Sequence, residues 1–172
     1  PSLLTRTLAG IPEKESAGFG LMFAAFYFFI SAWKAKKLSN ACILGTLAGI
    51  FTALMGLIWG GWIYIFTTLS IAGAIAFVLD KIGKKETAVY ALWLIPSAII
   101  PVLFSNRFSL QGLIFSPSTG LSFFILFLIF LDLIIFKTKI KNLKLIENLK
   151  LKLPEKVVSI IIAFLVILVV SS

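Results

Sequence analysis

The run from Ala41 to Leu79, ACILGTLAGIFTALMGLIWGGWIYIFTTLSIAGAIAFVL, contains no charged residue. As one helix it would extend about 58 Å at roughly 1.5 Å per residue, against a hydrocarbon core of about 30 Å. It is therefore two membrane spans joined by a tight turn. Gly60-Gly61 at its middle supplies the turn, and Trp59 and Trp62 flank it as interfacial aromatics.

Outward from this pair lie four more apolar runs: Ala17–Trp33, Thr87–Phe104, Leu121–Phe136 and Val157–Val170. Together they predict spans at about 16–33, 41–59, 62–80, 87–104, 120–136 and 156–171. The expected fold is all-α, a polytopic membrane bundle of six transmembrane helices in one domain over residues 1–172. Composition agrees. Of the 172 residues 60% are hydrophobic and 13% charged, and mean hydropathy is +1.08. A soluble fold needs more polar surface than that, which excludes a soluble enzyme, a nucleic-acid-binding module and a disordered tail. The chain opens on Pro1 and closes on Ser172 directly after an apolar run, and the expectation is a piece of a longer polypeptide.

The formal charge of +9 suggests a polyanion partner until its position is read. All but three of the 16 Lys and Arg fall on alternate connections, at 34–40, 80–86 and 137–156. These connections are expected on the cytoplasmic side by the positive-inside rule, so no nucleic acid is needed. Arg6, Lys14 and Arg107 remain on the opposite side, with the 1–15 segment, the Gly60-Gly61 turn and the 105–119 loop. Residues 137–155 alternate lysines with Ile140, Leu143, Ile146 and Leu149, as a solvated loop or an interfacial helix facing anionic lipid would.

Other features admit structural readings first. Gly45 with Gly49, and Gly56 with Gly60, form two pairs four apart, a spacing that lets helices approach closely, within the bundle or between two copies. Asp132 lies inside the fifth span, where a carboxylate is a functional candidate or a partner for Lys137. Cys42 is expected to be a small core residue.

There is no histidine. Imidazole catalysis and imidazole metal ligation are excluded, and any metal must be a hard cation held by oxygen, Mn2+ or Mg2+. Glu13 and Glu15 are the acids on the outward side, one residue apart at the mouth of a helix. In extended backbone, i and i+2 point the same way and can share a cation, which would neutralise a phosphate leaving group. Arg6 adds a guanidinium. Pro12 followed by two acids also suits an ordinary helix start, with negative charge against the macrodipole. The two readings are compatible.

The run Thr5-Arg6-Thr7-Leu8-Ala9-Gly10-Ile11-Pro12-Glu13-Lys14-Glu15-Ser16-Ala17-Gly18 resembles the loop before the fourth membrane helix of the oligosaccharyltransferase catalytic subunit, archaeal type, where the pattern is roughly S/N-R-T/S-x-x-G-x-x-D-x-D/E. Trp59-Gly60-Gly61-Trp62 resembles that family's W-G-G-Y/W motif at the expected distance. The resemblance implies the central part of a glycosyltransferase C-type membrane domain in an archaeal cell membrane, with the active-site side extracytoplasmic. It implies transfer of a glycan from a dolichyl or polyprenyl phosphate or pyrophosphate to asparagine of N-x-Ser/Thr in an acceptor polypeptide, assisted by Mn2+ or Mg2+. Arg6, Glu13 and Glu15 carry over as catalytic residues, with Glu13 and Glu15 as metal ligands. Glu13 departs from the family's aspartate by one methylene. Arg107 is a candidate for donor phosphate. The family's first acidic motif, its later outer-loop glutamate and its W-W-D-Y-G motif are missing from these residues, so this piece alone is expected to be inactive. The rival expectations are another polyprenyl-phosphate-sugar glycosyltransferase of like architecture, or a six-helix transporter or membrane scaffold.

Overall fold

The computed structural model describes residues 14–133. They form six α-helices: α1 (Lys14–Lys34), α2 (Leu38–Ile58), α3 (Ile63–Val78), α4 (Lys84–Phe104), α5 (Leu110–Phe115) and α6 (Gly120–Asp132). A single 3-10 turn, Gly60–Trp62, leads into α3. There is no strand among the described residues. Four helices, Lys14–Lys34, Leu38–Ile58, Gly60–Val78 and Lys84–Phe104, are long and apolar enough to cross a membrane. At 21 residues α1, α2 and α4 each reach about 31 Å, the thickness of a hydrocarbon core. Gly120–Asp132 is apolar but shorter. The chain is an integral membrane protein. The expected sixth span and the basic stretch at 137–155 lie outside the described residues.

Helix ends follow local chemistry. Glu15 stands in the first turn of α1 and Lys34 in its last, both favourable to the macrodipole. Lys85, reaching over from α4, donates to the carbonyls of Trp33 and Ala35, each at 3.0 Å. It thereby satisfies acceptors that the end of α1 leaves open. The α3 helix closes on Asp80, at φ 54° in the left-handed region. Lys81 N–H bonds to Ala76 O and Asp80 N–H to Phe77 O, a Schellman closure. At the start of α4 the Glu86 carboxylate accepts from Gly83 N–H at 2.9 Å, the reach-back half of a capping box.

Small residues set how the helices meet. A Cβ at Gly45 would stand 3.2 Å from the carbonyl oxygen of Val89, and one at Gly49 would strike the Trp93 carbonyl and Pro96 Cγ. These two glycines let α2 lie directly on the backbone of α4. Gly56 lies against the ring of Trp62, whereas Gly60 faces open space. Of the four glycines in these two pairs, three therefore serve packing inside the bundle. At the centre, Phe29, Phe66, Tyr90 and Trp93 form an aromatic cluster with centroid separations of 5.2 to 6.4 Å. The buried hydroxyls of Ser70 and Ser122 bond to each other and tie α3 to α6.

Two expectations change in detail, and a third, for Asp132, falls partly outside the described residues. The 105–119 segment is not a plain loop, because it contains α5. Ser109 accepts from Gly112 N–H at 3.0 Å and starts that helix, and Leu113 buries in the bundle. Cys42 is only half-buried, on the first turn of α2. Asp132 is buried and has an interaction partner, while Lys137, its expected partner, lies outside the described residues.

Candidate functional site

Among the residues singled out in the sequence, Arg6 and Glu13 lie outside the described residues. Glu15 is half-exposed in the first turn of α1 and has an interaction partner. That placement agrees with the helix-start reading and leaves the ligand reading open. Among the described residues no three His, Cys, Asp or Glu side chains are grouped to hold a metal ion.

The structure brings the acid-bearing end of α1 against the Trp59-Gly60-Gly61-Trp62 turn. Trp59 is extended, at φ −146° and ψ 138°, so its ring leaves the helical path of α2. The ring lies over Gly18, where a Cβ would be 2.9 Å from Trp59 Cε3, and tilts against Phe19 with centroids 5.4 Å apart. Gly18 and Phe19 follow Glu15 by three and four positions, one helical turn along the same face. Gly61 sits under the same ring with no room for a side chain. The Trp59 indole is thus wedged between two glycines, one on α1 and one in the turn.

The second tryptophan faces other neighbours. Trp62 is buried, covers Gly56, and meets Phe66 and Phe108 edge-on with centroids 5.1 and 5.0 Å away. Beyond it opens a cavity of about 280 Å³, lined by Trp62, Arg107, Ser109, Ser116, Ser118 and Thr119 among others. Ser116 and Ser118 hydroxyls bond to each other at 2.9 Å, and Thr119 Oγ1 donates to Leu113 O. The guanidinium of Arg107 stands 6.0 Å from the Phe108 ring centroid, and no carboxylate pairs with it among the described residues. An unneutralised guanidinium beside hydroxyls and an indole can receive an anion.

The W-G-G-W turn therefore links the start of α1 to the Arg107 cavity, residues remote in sequence. Sequence reasoning reached Gly18 only as the end of the outward run and passed over Phe19, since the importance of both comes from the ring laid on them. The polar run Ser116-Pro117-Ser118-Thr119, which the sequence places in the same loop as Arg107, does supply lining to its cavity through Ser116, Ser118 and Thr119.

In comparisons with known proteins, the chain is 25% identical over 93 residues to the dolichyl-diphosphooligosaccharide–protein glycosyltransferase subunit STT3 of Saccharomyces cerevisiae. The match covers 54% of this chain and 12% of that protein. It supports a distant relationship to an oligosaccharyltransferase. No family model matches. No solved structure matches.

Proposed function

We propose that the chain is part of a membrane oligosaccharyltransferase that transfers a lipid-linked glycan to asparagine of N-x-Ser/Thr in an acceptor polypeptide. The observation that carries this reading is the Gly18–Trp59 contact, by which the two stretches resembling that family meet at one end of the bundle. The similarity to the yeast subunit supports it independently.

In this reading Glu13 and Glu15 supply carboxylate oxygens to Mn2+ or Mg2+. Oxygen donors without imidazole or thiolate suit a hard cation. Such a cation, when bound, neutralises charge on the phosphate leaving group. Glu15 is held at the membrane edge by the first turn of α1, whose position is fixed by the Trp59 ring one turn further on. Arg6, Lys14 and Arg107 are the cationic side chains on this side, and Arg107 meets phosphate oxygens of the lipid donor from its cavity beside Trp62. The apolar helices seat the donor's lipid, and the acid-bearing end faces the compartment of the acceptor.

The test uses the whole protein. Glu13→Gln is expected to lower metal-dependent glycopeptide formation from a lipid-linked donor by at least about a hundredfold, the scale of a lost electrostatic stabiliser, with unchanged expression and unfolding temperature. Undiminished turnover would sink the assignment. Glycosyl transfer to a non-peptide acceptor alone would favour another polyprenyl-phosphate-sugar glycosyltransferase.

A further inference from the structure

Between α1 and α3 lies an apolar groove of about 330 Å³. One wall is the stripe Phe26, Ile30 and Lys34 on α1, and the other is formed by Ala72, Gly73 and Ala76 on α3. Residues four apart on α1 lie above one another, so this wall runs about 12 Å from Phe26 to Lys34. That is most of the roughly 15 Å depth of one leaflet's hydrocarbon, half of the core. Toward Lys34 the α3 wall is low, because Ala72, Gly73 and Ala76 carry at most a methyl group, while Thr68 and Leu69 stand further along it. The groove thus runs close to one leaflet's depth and has a lysine at one end.

That end is electrostatically prepared. A helix C-terminus ordinarily presents partial negative charge, which repels a phosphate. Here Lys85 donates to the carbonyls of Trp33 and Ala35, on either side of Lys34, and is itself paired with Glu86 at 3.1 Å. The ammonium of Lys34 is exposed and pairs with no carboxylate among the described residues. Lys36 and Lys37 follow directly, both exposed. Apolar walls that lead into an unneutralised lysine cluster match a molecule with an apolar chain and an anionic head.

We propose that this groove binds one acyl chain of an anionic glycerophospholipid from the leaflet on the lysine side, with its phosphate held by Lys34. The site is independent of glycan transfer and lies at the opposite end of the bundle from Arg107.

The test is lipid retention by the full chain in nanodiscs of phosphatidylcholine with phosphatidylglycerol, read by native mass spectrometry after release into detergent. The wild-type chain is expected to keep one phosphatidylglycerol in preference to phosphatidylcholine. Lys34→Gln is expected to weaken that preference roughly fivefold, the effect of one lysine near a membrane surface. The double variant Ala72→Leu with Ala76→Leu fills the groove from its lipid-facing side and is expected to lose retention of both lipids. Circular dichroism at equal concentration identifies a misfolded variant, and Lys34→Gln, an exposed polar change, keeps the proposal testable in that case. Retention unchanged by Ala72→Leu with Ala76→Leu, or a phosphatidylglycerol preference unchanged by Lys34→Gln, overturns the proposal. So does a wild-type chain that retains no phosphatidylglycerol, the result expected if polypeptide covers the groove.

Discussion

The indole N–H of Trp93 donates to Thr52 Oγ1 at 3.1 Å, and both residues are wholly buried. Thr52 in turn donates to Ala48 O at 2.8 Å, so its hydroxyl is fully used. This bond crosses from α2 to α4 beside the close approach at Gly49. Thr52→Val keeps the shape and removes the acceptor, leaving a buried N–H unpaired. Interhelical hydrogen bonds in membranes average about 0.6 kcal/mol and reach about 1.7. The expected loss is about 1 kcal/mol in detergent unfolding, with Thr52→Ser close to wild type.

Gly49 and Gly60 separate packing from spacing. Gly49→Ala drives a methyl into the Trp93 carbonyl and the Pro96 ring. It is expected to cost about 1–3 kcal/mol, the range for overpacking a core. Gly60→Ala meets nothing within 4 Å and is expected to leave the unfolding temperature unchanged. Equal effects from the two changes would contradict the packing described for α2 and α4.

Gly18 and Trp59 are expected to act as one unit. Gly18→Ala pushes against the indole and displaces the turn that carries Glu15. In the whole protein it is expected to lower glycopeptide formation on the order of tenfold, because small misplacements of positioned groups are costly. Trp59→Phe alone loses the wedge. Together they restore part of the activity, since the smaller ring leaves room for the methyl. Strict additivity in a double-mutant cycle would show that the contact does not couple the two segments.

Arg107→Gln is expected to raise the KM for a lipid-phosphate donor roughly tenfold, with kcat changed less. A hydrogen bond to a charged group is worth about 1.5–3 kcal/mol, and uniform binding loss appears in KM. Arg107→Lys keeps the charge and is expected to recover part of the loss, without the guanidinium's two-pronged geometry. A KM for the donor unchanged in Arg107→Gln removes the arginine from the donor site.

Four of the six expected spans are present among the described residues, and they were legible because a membrane helix is apolar on all sides, so run length reports it. Leu38–Ile58 and Gly60–Val78 each start or end within a few residues of the spans read from sequence. For the other two, Lys14–Lys34 and Lys84–Phe104, the offsets come from lysines that the helices include at their ends. Helix α5 was not legible, since six residues show no periodicity and depend on the Ser109 cap and burial of Leu113. The paired glycines announced a close approach but not its partner, the backbone of α4. Of the acidic pair, sequence placed Glu15 at a helix mouth, and the structure agrees. What it did not contain was the ring on Gly18, because a contact between residues 18 and 59 is a property of how three helices return to one another.

The wedged indole also limits how this sequence can drift. Space for Trp59 exists because methyl groups are missing at positions 18 and 61, and space for Trp62 because one is missing at 56. Side-chain volume there is shared between positions rather than owned by each. A lineage that enlarges position 18 is therefore expected to shrink position 59 in step, and one that trims Trp62 frees position 56 to grow. Such paired changes leave a record of contact that can be sought among related chains without any assay of activity.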